Sequence, residues 1–351
     1  MSTGNRAESR DGLSRRSVFT AAAAAGLGSP VLARAGVGGG SAMQAVLDYV
    51  QSQDTTGFLV IRDRKTLAEQ NWPLPLLAAA FKAAVTYGTT RDGALLEDVA
   101  SQQKSFVSVL VGVAIDRGLL DVNRPVSDYI GAGWSKATPA QEAQILVTHL
   151  LAMNSGLSTE FAYAAPPGTA FLYNTPVYAV TKRVVAAAAK QPLETITHDW
   201  LTAPLGMVDT SWRKRPAAMA DVGNPTGLVT SPRDTARFGQ MVLDGGKAPD
   251  GRRVLSAAGL KAMFARSATN PAYGRLWWLN GSGYKIMPLA KRTEGPLIPA
   301  APADLVAALG ALDRRLYVVP SAKLIVVRMG RAAPDKDFDQ QLWLRLGKAL
   351  G

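Results

Sequence analysis

Ser101 and Lys104 are the pair of side chains in this sequence with the clearest capacity for chemistry. They lie three residues apart, at the start of an apolar run that predicts a helix as far as Gly118. Side chains at positions i and i+3 share one helix face, so the ammonium would lie beside the hydroxyl. Burial and the positive end of the helix would both lower the pKa of the lysine, so that a free amine could take the serine proton.

Ser211 and Lys214 repeat the same S-x-x-K spacing, so the spacing alone does not identify a site. This second pair lies in a basic segment that Pro216 closes, and no apolar helix follows it. The apolar context therefore favours Ser101 as the nucleophile.

The remaining residue types leave few other catalytic systems. His149 lies in an apolar helical run and His198 precedes Asp199, so both are interpreted as structural or surface residues. No G-x-S-x-G elbow accompanies them, which disfavours a Ser-His-Asp triad. Two isolated histidines and the absence of cysteine disfavour a metal site, and no phosphate-binding glycine loop is evident. By elimination, the sequence favours lysine-assisted serine chemistry without a metal or cofactor.

Composition and charge describe an ordinary globular protein with a basic surface. The 351 residues are 47% apolar and 19% charged, which is enough for a large core. The formal net charge of +12 comes from scattered lysines and arginines, with no run longer than residues 213–215. We interpret them as a solvated surface and predict no nucleic-acid partner; binding to nucleic acid or to an anionic envelope polymer is the alternative.

Residues 1–35 resemble a twin-arginine (Tat) export signal. Arg15 and Arg16 precede an alanine-rich apolar stretch, and residues 33–35 offer small side chains for cleavage. The stretch is too short and too interrupted by glycine and proline to span a bilayer, and we find no other membrane-spanning candidate. Zero cysteines exclude disulfides and a lipoprotein anchor, and fit a protein that is exported after folding. We therefore predict a periplasmic or secreted protein, with a flexible tail as the alternative for residues 1–35.

Strand patterns at both ends of the chain enclose a helical middle. We expect a linker and helix over residues 36–54, then one domain over 55–351, of which about 105–265 is helical. Residues 95–99 would return to the sheet and deliver Ser101. This order predicts an α+β protein: an antiparallel sheet flanked by helices, with a mainly helical inserted subdomain. The expected strands are 57–63, a partner ending at Trp72, 274–279, 305–309, 316–319 and 324–329; the expected helices include 78–84, 141–153, 177–189, 232–243 and 338–350.

Four segments in sequence order carry a family resemblance. They are residues 100–106 (ASQQKSF), 149–157 (HLLAMNSGL), 167–173 (PGTAFLY) and 204–207 (PLGM), and together they resemble the serine β-lactamase-related family. That family includes class C β-lactamases, D-Ala-D-Ala carboxypeptidases, related esterases and aminohexanoate-oligomer hydrolases. The resemblance covers about residues 55–350 and implies a β-lactamase/transpeptidase-like fold, with the site where the helical part meets the sheet.

The resemblance also implies roles for individual residues. Ser101 would be the nucleophile and Lys104 its neighbouring base. Tyr173 would be the catalytic tyrosine, and its phenol, shifted toward phenolate by the ammonium, would help to carry the proton from Ser101 to the leaving group. The backbone N–H groups of Ser101 and Ala311 would bind the oxyanion of the tetrahedral intermediate.

The second motif of the family is altered in this sequence. It is commonly Y-x-N, but here Tyr173 is followed by Asn174 and Thr175. Either the Thr175 hydroxyl replaces the side-chain amide, or Asn174 binds substrate from a shifted position.

The third motif is altered as well. It is commonly K-T-G or H-x-G, but Ala308, Leu309 and Gly310 align there. The side chain that typically holds a substrate carboxylate is therefore missing, although the glycine that permits close approach of the acyl carbonyl remains. Leu309 would form an apolar wall, together with Trp278 or its neighbour Trp277, because strand geometry lets only one of the two face the site.

These observations predict an exported serine hydrolase that cleaves a small-molecule ester or amide, or a peptide-like substrate, through an ester on Ser101. One alternative is a β-lactamase or D-alanyl-D-alanine carboxypeptidase in which Arg314 or Arg315 replaces the missing basic residue. An alternative of another class is a non-catalytic protein that binds cell-wall fragments or a protein partner through the same cleft. The sequence leaves the natural substrate and the oligomeric state open.

Overall fold

Antiparallel strands and helices make up the part of the chain that the computed structural model describes, residues 40–74, 78–220 and 222–351. The strands are β1 Thr55–Arg62, β2 Lys65–Asn71, β3 Thr86–Thr89, β4 Leu95–Asp98, β5 Ser211–Lys214, β6 Thr226–Thr230, β7 Trp278–Leu279, β8 Tyr284–Ile286, β9 Arg292–Glu294, β10 Val306–Gly310, β11 Arg314–Val319 and β12 Leu324–Gly330. The helices are α1 Gly40–Ser52, α2 Ala79–Val85, α3 Gln103–Asp116, α4 Ser127–Ile130, α5 Pro139–Glu142, α6 Val147–Leu151, α7 Thr175–Ala189, α8 Leu193–Thr197, α9 Ala203–Leu205, α10 Ala217–Ala220, α11 Pro232–Leu243, α12 Ala257–Met263 and α13 Phe338–Leu350.

The main sheet has six strands in the order β2-β1-β12-β11-β10-β7, and its neighbouring strands are antiparallel. Every residue of β11 and β12 is buried, in contrast to the alternation that is usual when one face of a sheet is exposed to solvent. Helices on both faces explain this burial. Gly239 of α11 lies against Leu316 on one face, and Trp343 of α13 packs edge-on against Tyr317 on the other.

A second sheet, in the order β3-β4-β6-β5, corrects two expectations from the sequence. Residues 95–99 were expected to join the main sheet, but Glu97 pairs with Thr230 and Asp98 with Val229 in this smaller sheet. The region 105–265 is also not mainly helical throughout, since it contains β5 and β6. The run from Thr226 to Thr230 is rich in β-branched residues, a signal that the sequence analysis did not use.

Helix α3, which carries Lys104, is buried almost all round. Twelve of its residues are inaccessible to solvent, and Phe106 stacks on Phe238 of α11 with ring centroids 3.8 Å apart. A helix that is mainly apolar and buried on nearly all sides lies in the interior of a protein. The apolar run after Ser101 therefore places α3 in the interior, where it packs against α7, α11 and α12.

Two local expectations were wrong, and one hairpin was missed. The helix expected over residues 141–153 is two short helices, α5 and α6, because Leu146 is extended and bridges Pro125. The strand expected over 274–279 is reduced to β7, since Leu276 has a positive φ of 61°. The hairpin of β8 and β9 was not expected.

The α+β class is confirmed: antiparallel sheets are flanked by helices, and α11 and α13 begin and end close to the expected residues. Residues 1–35, where an export signal is expected, lie outside the described residues. Among the helices of the described part, none has the length and apolar character needed to cross a bilayer.

Candidate active site

The nucleophile follows a strained residue. Ala100 has a φ of +50°, a left-handed conformation that costs an alanine about 1 kcal/mol or more. Its N–H donates to Asp98 Oδ1 over 2.8 Å, and Asp98 is completely buried. This short turn between β4 and α3 carries Ser101 into the first, 3-10, turn of the helix.

Ser101 and Lys104 meet as their spacing predicts. Lys104 Nζ lies 2.9 Å from Ser101 Oγ, within hydrogen-bond distance. The lysine is only 2% exposed, and its Nζ lies over the rings of Tyr173 and Tyr178, 4.9 and 4.6 Å from their centroids. The aromatic rings thus exclude water from the amine while leaving it in contact with the serine hydroxyl.

The surroundings of Lys104 favour a neutral amine. Burial lowers its pKa far below the ordinary lysine value, and the positive charges of Arg215 and Lys182 lower it further. Among the described residues, no carboxylate forms an ion pair with Nζ. A neutral amine beside a serine hydroxyl is able to act as its general base.

Tyr173 lies at the same pocket as Ser101 but does not behave as expected from the family resemblance. Burial raises the pKa of its phenol, and a hydrogen bond with Ser101 offsets this only in part. The expected shift toward phenolate is therefore wrong in direction: a buried phenol next to a neutral amine stays protonated. Tyr173 is placed to donate a proton, or to relay one, rather than to act as a base.

The altered second motif is resolved by two contacts. Thr175 Oγ1 lies 3.3 Å from Lys104 Nζ. The Asn174 amide instead donates to the carbonyls of Leu157 and Ser158 over 3.0 Å each, and its oxygen caps α7 by accepting the Val177 N–H. The hydroxyl of Thr175 therefore faces the site, whereas Asn174 holds the loop before α7.

The altered third motif forms one wall of the site. Ala308 is fully buried in the sheet, and Leu309, the next residue of β10, lines the pocket of Ser101. Gly310 lies so close to the turn before α3 that an added Cβ would be 2.3 Å from the carbonyl oxygen of Val99. Only glycine allows β10 to approach the nucleophile this closely. Ala311 follows it in the exposed turn between β10 and β11.

Arg314 and Arg315 do not replace the missing basic residue. Arg314 is 0% exposed and pairs with Glu97 over 2.9 Å. Arg315 is 9% exposed and pairs with Asp313 and Asp339 over 2.5 and 2.8 Å. Arg314 forms a fully buried ion pair, and Arg315 is held by two partly exposed carboxylates. Neither guanidinium is free, so the alternative in which one of them binds a substrate carboxylate is contradicted.

The pocket itself is narrow, and three of its eight lining residues are aromatic. Trp278 lines it and stacks on Tyr173 with centroids 5.8 Å apart, while Trp277 is in the core against Phe238. Three lining residues, Ser105, Tyr273 and Leu276, were not identified as site residues from the sequence, although Ser105 lies within the first segment of the family resemblance. The full lining is Ser101, Lys104, Ser105, Tyr173, Tyr273, Leu276, Trp278 and Leu309.

Two further S-x-x-K pairs lie away from this pocket. Ser211 and Lys214 are on strand β5, where side chains three residues apart point to opposite faces. Ser282 and Lys285 have the same spacing, which the sequence analysis overlooked. Lys285 Nζ donates to the carbonyls of Pro296 and Leu297, so it does not act on Ser282.

The two histidines take structural or surface positions. His149 Nδ1 accepts the N–H of Leu146 over 3.1 Å and thereby caps α6. His198 is exposed beside Asp199. No group of three or more histidine, cysteine, aspartate or glutamate residues suited to a metal ion occurs in the described part of the chain.

Comparisons with known proteins show the family of this chain. The Beta-lactamase family model matches residues 44–350. Penicillin-binding protein 4 of Amycolatopsis lactamdurans is 27% identical over an alignment that covers 46% of this chain and 55% of that protein, so the chain spans little more than half of this relative.

Solved structures share the fold at low sequence identity. A β-lactamase candidate from Bacteroides dorei superposes with a TM-score of 0.67 and 15% identity, covering 88% of this chain and 98% of its own. A candidate 6-aminohexanoate-dimer hydrolase from Bacillus anthracis superposes with a TM-score of 0.64 and 16% identity, and the alignment covers 86% of this chain and 81% of that protein. A β-lactamase from Mycobacterium bovis superposes with a TM-score of 0.61 and 19% identity, and the alignment covers 87% of this chain and 97% of that protein.

Proposed function

Because the chain belongs to the Beta-lactamase family of serine hydrolases, we propose that it cleaves an ester or amide through a covalent acyl intermediate on Ser101. The observation that carries this proposal is the 2.9 Å contact between Ser101 Oγ and a buried lysine amine with a strongly lowered pKa. A serine hydroxyl is a weak nucleophile until a neighbouring base takes its proton.

The proposed reaction begins when Lys104 takes the proton of Ser101 Oγ as the oxygen attacks the substrate carbonyl. The negative charge moves to the carbonyl oxygen, which the N–H groups of Ser101 and Ala311 bind. The carbonyl then reforms, and the protonated Lys104 returns its proton to the leaving alcohol or amine through the Tyr173 hydroxyl. An ester on Ser101 remains. Water, deprotonated by Lys104, attacks this ester. The bond between the acyl carbon and Ser101 Oγ then breaks, Lys104 returns the proton to Oγ, and the acid is released.

The neutral walls of the pocket support an uncharged acyl group as substrate. Apart from Lys104, the described residues that line the pocket carry no cation. Arg314 is paired with the buried Glu97, and Arg315 with the partly exposed Asp313 and Asp339, so neither guanidinium is free to bind a substrate near Leu309. We therefore propose small esters or amides that lack a carboxylate next to the scissile bond.

A β-lactam or a D-alanyl peptide is the second candidate, and the penicillin-binding relative favours it. The missing basic residue at Ala308 weighs against it, because these substrates carry a carboxylate that such a residue typically binds. A non-catalytic protein that binds through the same cleft is the third candidate.

Intact-mass spectrometry of the full chain after exposure to a fluorophosphonate tests the proposal. We expect one adduct, absent in Ser101→Ala and formed about 100-fold more slowly in Lys104→Ala. Ser211→Ala is the matched control and should label like the wild type. If the wild-type protein forms no adduct with the fluorophosphonate or with any activated ester or β-lactam, the proposed hydrolase activity is refuted. The non-catalytic binding protein then remains as the candidate.

Export is also part of the proposal. Arg15 and Arg16 support a Tat route to the periplasm or the exterior. Cell fractionation tests it: the wild type should be outside the cytoplasm, and a variant with both arginines changed to lysine should remain inside. Equal distribution of the two proteins would contradict export by this route.

A further inference from the structure

The two peptide groups proposed to bind the oxyanion share an unusual feature: each has its carbonyl oxygen bound by a buried side chain. The carbonyl of Ala100, in the same peptide as the Ser101 N–H, accepts Gln103 Nε2 over 3.0 Å. The carbonyl of Gly310, in the same peptide as the Ala311 N–H, accepts Arg315 Nη1 over 3.0 Å.

These contacts act on the N–H groups because a peptide is planar. Its N–H and C=O point in opposite directions, so a bond that fixes the carbonyl also fixes the direction of the N–H. A donor at the carbonyl further polarises the amide and strengthens the hydrogen bond that its N–H donates, and a charged donor does so more. Resting on the proposed function, we propose that Gln103 and Arg315 are the positioning residues of the oxyanion site.

The surroundings hold both side chains in place. Arg315 binds Asp339 over 2.8 Å and Asp313 over 2.5 Å, and the hydroxyl of Tyr317 donates to the same Asp339. Gln103 is 0% exposed, and its oxygen accepts the Tyr178 hydroxyl over 3.4 Å. Neither residue lines the pocket. Both therefore act through the backbone and not by touching substrate.

The peptide after Gly310 has the greater need of such support. Gly310 lacks a Cβ and its backbone is intrinsically free, and it leads into a turn where Leu312 and Asp313 both have positive φ. A rotation of this peptide would aim its carbonyl, rather than the Ala311 N–H, at the oxyanion. Arg315 opposes that rotation, and Arg314 restrains the next peptide of the turn by donating to the Ala311 carbonyl over 3.2 Å.

The test compares matched oxo and thiono 4-nitrophenyl esters, because sulfur is a poorer hydrogen-bond acceptor than oxygen and depends less on the oxyanion donors. The full chain, Arg315→Met, Arg315→Lys and Gln103→Met are assayed for kcat and KM on both esters. We expect kcat for the oxo ester to fall about 10-fold to 100-fold in the methionine variants, the upper value being near the loss of a donor itself. KM should change little, and the oxo-to-thiono preference should shrink by the same factor. Arg315→Lys, which keeps a cationic donor, should recover part of the preference.

A merely structural role gives a different pattern. Misfolding or a displaced nucleophile lowers the rates on both esters together and leaves their ratio at the wild-type value. Gln103→Met is close to isosteric and leaves no charge without a partner, so it remains informative if Arg315→Met does not fold. An unchanged ratio in Gln103→Met, together with an unchanged ratio in any Arg315 variant that folds, would overturn the inference. If the ratios are unchanged while the wild type is active and Ser101→Ala is inactive, only this inference is overturned. If the wild type is not acylated at all, the proposed function itself is overturned.

Discussion

The guanidinium of Arg215 donates two hydrogen bonds, of 2.6 and 2.8 Å, to the Asp98 carboxylate, and both side chains are buried. The same carboxylate accepts the N–H of Ala100, the strained residue that precedes the nucleophile. Gly227 lies so close that an added Cβ would be 1.9 Å from Asp98 Oδ2. One ion pair between β4 and the end of β5 thus maintains the turn that carries Ser101.

Breaking this pair should cost stability and activity together. We expect Asp98→Asn to lower the free energy of unfolding by about 3–5 kcal/mol, because it leaves the guanidinium of Arg215 buried without its charge partner. Acylation of Ser101 should slow as the turn loosens. Denaturant titration and the rate of fluorophosphonate labelling measure the two effects. Arg64→Met removes an exposed pair with Asp244 and serves as the control, with an expected change of at most about 1 kcal/mol.

Gly310→Ala should disrupt the approach of β10 to the nucleophile. Its Cβ would collide with the Val99 carbonyl, which belongs to the backbone and has no flexible end to move aside. We expect a loss of kcat of at least about tenfold, with a lower melting temperature. Gly347→Ala on α13 is the matched control: an added Cβ there meets nothing within 4 Å, and alanine should stabilise the helix by about 0.5–1 kcal/mol. Equal activity in the two variants would show that the close approach is not needed.

Lys182 should make the stability of the fold depend on pH. Burial and then Arg215 lower its pKa from 10.5 to about 7, so between these values the unfolded chain binds a proton that the folded protein releases. The free energy of unfolding should therefore rise with pH from about 7 toward 10. Below pH 7 Lys182 is protonated in the folded protein as well as in the unfolded chain, so this increase in the free energy of unfolding is absent. Denaturant titrations across this range should show a smaller rise of the free energy of unfolding with pH in Lys182→Met than in the wild type. The same pH dependence in both proteins would contradict the lowered pKa.

Acylation should fall as the pH drops through the pKa of Lys104, because protonation removes the general base. Burial and the charges of Arg215 and Lys182 keep that pKa well below 10.5, which extends activity to lower pH. Lys182→Met removes one of these charges and should shift the midpoint of the acid limb to higher pH. Lys182→Arg keeps the charge and should leave it in place. The pH profile of kcat/KM for a 4-nitrophenyl ester tests this, and a shift to lower pH in Lys182→Met would contradict it.

Leu309→Lys should change the preferred substrate charge. The new ammonium would project into the pocket of Ser101, where the neighbouring wall is apolar and aromatic. We expect kcat/KM to rise about tenfold for an ester that carries a carboxylate, relative to its neutral counterpart, which corresponds to about 1.4 kcal/mol. Leu309→Met controls for shape and should retain the neutral preference. A lysine variant with the wild-type preference would show that this wall does not select substrate charge.

The sequence by itself determined the chemistry that depends on neighbours in the chain. The spacing of Ser101 and Lys104 within one helical turn, and the apolar run that buries α3, are local patterns with a fixed geometric outcome. The same holds for β11, β12 and α13, whose patterns gave nearly the observed boundaries. The motif order was enough to indicate the family.

Only the tertiary structure decided which distant residues complete the site. Thr175 rather than Asn174 faces Lys104, across 71 positions of sequence, and Arg314 pairs with Glu97 across 217. The protonation of Tyr173 also depended on burial by Trp278 and Tyr273, which no local pattern encodes. Periodicity reports which side of an element is apolar, whereas the partner of a buried polar group depends on how the elements pack. For that reason the nucleophile was predictable, and the ion pairs and carbonyl contacts that position its oxyanion donors were not.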